Sequence, residues 1–104
     1  MISTVQWVKE ARVEPSYSEY SPTVLYDVFY EAGTALGGRL VALENQDRRR
    51  DPQRAQAWAD ERRQMRRDRE DAGADDRDAQ ISLIQRWSAR RGELEQFVLP
   101  DTPR

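Results

Sequence analysis

The chain has 104 residues, 35% of them charged and only 38% hydrophobic, with a formal net charge of -2. That length suits one domain with a modest core, and near-neutrality removes any global pull toward nucleic acid or an acidic membrane. The lack of cysteine and histidine excludes disulfide scaffolds, thiolate and imidazole metal sites, thiol nucleophiles and the ordinary base of neutral-pH catalysis.

No apolar run reaches the ~18 residues of a membrane span, and no glycine-rich phosphate loop occurs. The opening MISTVQWVKE lacks the basic start and apolar block of a signal peptide. A cytoplasmic protein without a cofactor is expected. Lys9 is the only lysine among 17 Lys and Arg residues. GC-rich bacterial coding explains that bias more simply than a demand for forked hydrogen bonds.

In chain order, residues 2–12 predict a short first helix. Ser3 and Gln6 form a capping box, and Ile2 and Trp7 stand at the positions of a hydrophobic staple. A strand competes, because Val5 and Trp7 alternate with polar residues. Residues 13–20 read as a connector, with PSYSEYSP setting two tyrosines between two prolines and Pro15 disfavouring helix at Glu14.

Ser21 then caps a long central helix, with Pro22 at its first position, running to about Asp47. Leu25, Val28, Phe29, Ala32, Leu36, Leu40 and Leu43 form one stripe at three- and four-residue spacing. Gly37-Gly38 could end this helix, but the stripe keeps phase beyond it, which predicts a continuous or kinked helix. Beside the stripe run Tyr26, Tyr30, Gly33, Gly37 and Val41. Gly33 and Gly37 make a small-x-x-x-small pair, read as a close crossing within the chain rather than a dimer seam.

Asp51-Pro52 caps a third helix to Ala72, with Gly73 as its stop. Its apolar stripe is thin: Ala55, Trp58, Met65 and Ala72, interrupted by Arg62 and Arg69. Helices owe most of their stability to packing an apolar face. This arm is therefore expected either to project as a charged lever or to meet another chain. Asp75 or Asp76 caps a last helix to about Phe97, striped by Leu83, Ile84, Trp87, Leu94 and Val98. The short Gly73-Ala74 link makes the last two helices an antiparallel hairpin, and residues 99–104 form a frayed tail. The expectation is one all-α domain over residues 1–104, with about four helices.

Asp27 and Glu31 stand one turn apart near Tyr30 and could hold a hard cation or share a proton. Both lie opposite the apolar stripe, where solvated carboxylates are ordinary, so no metal or catalytic site is assigned. Residues 48–69 hold nine arginines against four acids. A basic helix can follow a phosphate backbone, but acids adjoin this one, and local ion pairing on a solvated helix is the plainer reading. Tyr17, Tyr20, Tyr26, Phe29 and Tyr30 fall within fourteen residues. Tyrosine and arginine are common anchors of protein interfaces.

These patterns predict a non-enzymatic interaction module, a regulatory, adaptor or inhibitor subunit. It would bind another protein or its own copy as a homodimer, through Tyr26, Tyr30, Trp58, Arg62, Met65 and Arg66. The alternative is nucleic-acid association through Arg62, Arg63, Arg66 and Arg67. A carboxylate-dependent enzyme at Asp27 and Glu31 is a more remote third.

Overall fold

The computed structural model describes residues 17–97. The helix expected at residues 2–12 and the tail expected at 99–104 lie outside the described residues. Within them the chain is all-helical, with three α-helices rather than four: α1 Pro22–Asp47, α2 Pro52–Ala72 and α3 Arg77–Leu94. Two 3₁₀ turns flank the bundle, Tyr17–Glu19 and Glu95–Phe97. The first falls in what the sequence reads as an irregular connector.

Each helix starts where a side chain can satisfy its free N–H groups. The Ser21 hydroxyl accepts from the Val24 N–H at 3.2 Å, the Asp51 carboxylate from Arg54 N–H at 3.1 Å, and the Asp76 carboxylate from Ala79 N–H at 3.0 Å. Pro22 and Pro52 follow their caps directly, where a missing N–H costs nothing. α2 stops at Gly73, whose φ of 69° and ψ of -172° suit glycine alone. Through Gly37-Gly38 α1 continues without a break.

Long-range contacts fix the topology. Arg62 of α2 reaches Glu44, and Arg69 reaches Tyr30 and Thr34, so α2 runs antiparallel to α1. Arg77 at the start of α3 meets the Tyr20 carbonyl, and Glu95 just past its end meets Arg39, so α3 runs parallel to α1. Glu61–Arg90 and Asp68–Arg86 pair α2 with α3 in antiparallel sense. The last two helices are thus joined as a hairpin, but they do not pack as one. Their backbones barely approach each other, and each lies against α1.

The core is the α1 stripe, closed from both sides. Leu25, Phe29, Leu36, Leu40 and Leu43 are buried with Leu83, Ile84, Trp87 and Leu94 of α3. Trp87 stacks on Phe29 at 5.5 Å between ring centroids, a contact worth ~1 kcal/mol beyond its buried area. Val28 and Ala32 sit at the edge, half-buried.

The expectation for α2 is overturned. Trp58 and Met65 are each only 6% exposed, within the core of this single chain. The arm packs into the core of its own chain and does not project. Polar contacts supplement its thin stripe. Trp58 Nε1 donates to the buried Asp47 carboxylate at 2.9 Å. Arg62 donates to Glu44 at 3.1 Å, and Arg90 forks onto Glu61 at 2.7 and 2.9 Å. The Glu61 hydrogen bonds push the Arg90 guanidinium above its already high ordinary value. A fork of this geometry restricts two side chains at once, which a single-point ion pair does not.

The glycine pair accounts for the close approach. A Cβ on Gly33 would lie 3.1 Å from both Arg69 and Trp87, and one on Gly37 would lie 3.0 Å from the Met65 methyl. Gly33 and Gly37 therefore serve a crossing inside the chain, with both arms using the notch.

Candidate interaction face

Since α2 and α3 both pack on one side of α1, its other side is left open among the described residues. The exposed large hydrophobic residues among the described residues are Val24, Tyr30 and Val41, at 46%, 45% and 40%. All three belong to α1. On an ideal helix Val24, Asp27, Glu31, Gly38 and Ala42 fall on one outward stripe, and all five are exposed. Tyr30 and Val41 flank that stripe on the side toward α2.

Tyr30 is built into this edge. The Arg69 guanidinium lies 4.0 Å from its ring centroid, a cation–π contact. The same guanidinium donates to the Tyr30 carbonyl at 3.4 Å and to the Thr34 hydroxyl at 3.3 Å. One face of the ring is thereby occupied and its position fixed, while nearly half of the residue stays accessible. Tyr26 is half-buried, tilted against Phe29 at 5.8 Å and Tyr30 at 6.0 Å. It supports Tyr30 more than it offers surface.

Among the other residues predicted as contacts, Trp58 and Met65 are core residues and present nothing to a partner. Arg62 is half-buried and committed to Glu44. Arg63 pairs with Asp60 at 2.8 Å, and Arg67 donates to the Gln64 side chain at 2.7 Å. Arg66 is exposed and has no ion-pair partner among the described residues. The four arginines of the nucleic-acid reading thus form no continuous row of free charges. The groove expected beside Tyr26 and Tyr30 is filled by Arg69, Trp87 and Met65 of the same chain.

Asp27 and Glu31 are exposed. Among the described residues there is no group of three or more acidic residues placed to hold a metal ion. A cleft runs between α2 and α3 over Leu36, and its rim is spanned by the Glu61–Arg90 and Asp68–Arg86 pairs. Its polar groups serve to hold the arms together. No helix among the described residues is long and apolar enough to cross a membrane.

Sequence reasoning missed Arg69 as the residue that positions Tyr30. The signal was present, since Arg69 interrupts the apolar stripe of α2, where a charged residue calls for a partner. It also passed over Gly38, whose outward position follows from its one-residue offset from Gly37. Set against family models, curated proteins and solved structures, the chain has no significant match to any.

Proposed function

We propose that this is a non-enzymatic interaction module, a small regulatory, adaptor or inhibitor subunit of the cytoplasm that binds protein through the open side of α1. The observation that carries this reading is the placement of the exposed large apolar side chains. Val24, Tyr30 and Val41 all sit on α1, on the side turned away from the core. Exposed apolar groups gathered on one face mark interaction surfaces more often than scattered ones do. A tyrosine fixed by an arginine makes a rigid amphipathic anchor with little ordering entropy left to lose on binding. Arg66, free on the adjoining edge, adds a charge that can select among partners.

Trp58 and Met65 have no part in this reading. Nucleic-acid association through Arg62, Arg63, Arg66 and Arg67 has less support, since three of the four are engaged with Glu44, Asp60 and Gln64. Binding that survives at low salt and vanishes steeply as salt rises would revive it.

The test compares wild type with Tyr30→Asp and Val41→Asp chains as immobilised bait. Both substitutions fall on exposed positions, so the fold should persist, as checked by circular dichroism. Stoichiometric retention of one protein by wild type and its loss from both variants is expected. Equal retention by all three chains would remove the open side of α1 from consideration.

A further inference from the structure

Gly38 occupies the centre of the outward stripe of α1. A Cβ there would meet nothing within 4 Å, in contrast to Gly33 and Gly37. Glycine inside a helix is destabilising relative to alanine. At Gly33 and Gly37 close packing offsets that cost, but among the described residues nothing offsets it at Gly38.

The charges around it are asymmetric along the helix. Asp27 and Glu31 lie on the N-terminal half of the stripe, whereas Arg49 and Arg50 lie just beyond its C-terminal end. All four are exposed and make no ion pair among the described residues.

We propose that this face binds the same face of a second copy of the chain, antiparallel, about a two-fold axis at Gly38. This rests on the reading of α1 as the interaction surface and names its partner. In such a pairing, residues equidistant from Gly38 meet. Asp27 faces the partner's Arg49, Thr34 faces the partner's Ala42, and Ala35 faces the partner's Val41. Asp27 of each copy meets the free Arg49 of the other, Glu31 meets the partner's Asn45, and the exposed Val41 is covered. A parallel pairing would set Asp27 and Glu31 against their own copies, so the charges select the antiparallel sense. The contact is isologous and closes at two chains. Gly38 at the crossing lets the two backbones approach as closely as Gly33 and Gly37 let the arms approach α1.

Sedimentation equilibrium over a concentration series tests this on the full chain. A monomer–dimer equilibrium ending at twice the 12.2 kDa chain mass is expected. Gly38→Trp should raise its dissociation constant by roughly tenfold or more, an overpacking cost of a kcal/mol or two. The melting temperature of the dilute monomer should not fall, because that position is exposed and tryptophan forms helix better than glycine. Asp27→Arg should weaken association, and adding Arg49→Asp to it should restore the dimer, a rescue that a merely structural role would not produce. Gly38→Cys introduces the chain's sole thiol, and mild oxidation should link two copies rapidly, whereas Ser88→Cys on α3 should not.

A strict monomer at every concentration, or a dimer indifferent to Gly38→Trp, overturns the proposal. So does a thiol at position 38 that is shielded by residues 1–16 of its own chain. A monomer that still retains another protein through Tyr30 overturns this inference alone and leaves the interaction module standing.

Discussion

Gly33 shows how much a single missing methyl can decide. Arg69 and Trp87 enter the space of its absent side chain from two different helices. Gly33→Ala gains about 1 kcal/mol of helix propensity but must displace Trp87, which is stacked on Phe29 and 4% exposed. Overpacking of this kind costs about 1–3 kcal/mol, so a net loss of about 1 kcal/mol is expected. Gly37→Ala meets only the flexible end of Met65 and should be near neutral. Urea unfolding with an unchanged m-value would measure both. The pair was legible in sequence as a close crossing, because small residues one turn apart let any backbone in. Which side chains fill the notch was not legible, since that depends on the register of two other helices. Asp47 was hidden for a similar reason. It reads as an ordinary helix-end carboxylate, yet it is 6% exposed and accepts the Trp58 indole N–H.

The boundaries of the three described helices were the most legible feature. Ser21-Pro22, Asp51-Pro52, Gly73 and Asp76 are local signals that act through backbone hydrogen bonds within a turn. Gly73→Ala tests one of them. At φ 69° and ψ -172° a Cβ is strained by about 1–3 kcal/mol. Packing does not oppose the change, since among the described residues beyond its chain neighbours no atom lies within 4 Å of the place an added methyl would take. Thermal unfolding should show the corresponding loss. The reading of α2 failed at this scale. Counting apolar residues on its stripe underestimated it, because Arg62 and Glu61 look like surface charges until Glu44 and Arg90 are brought opposite them. Exposed pairs are worth at most about 1 kcal/mol each, so Trp58, Ala59 and Met65 still supply most of the hold. Sequence alone could not show that both arms lie on α1 rather than on each other.

At the level of the whole molecule, three helices in up–down–up order leave one macrodipole uncancelled. The N-termini of α1 and α3 share one end of the bundle, and their C-termini share the other. Asp75, Asp76 and Asp78 stand at the positive end, and Arg48, Arg49 and Arg50 at the negative end, the arrangement that favours each charge. Both attractions are screened by salt. The melting temperature should therefore fall by a few degrees as sodium chloride rises from about 10 mM to about 0.5 M, and a flat or rising trend would count against this balance. The near-zero net charge conceals this polarity. A particle so divided would align in an oscillating electric field, and dielectric relaxation would detect a moment that its isoelectric behaviour does not betray.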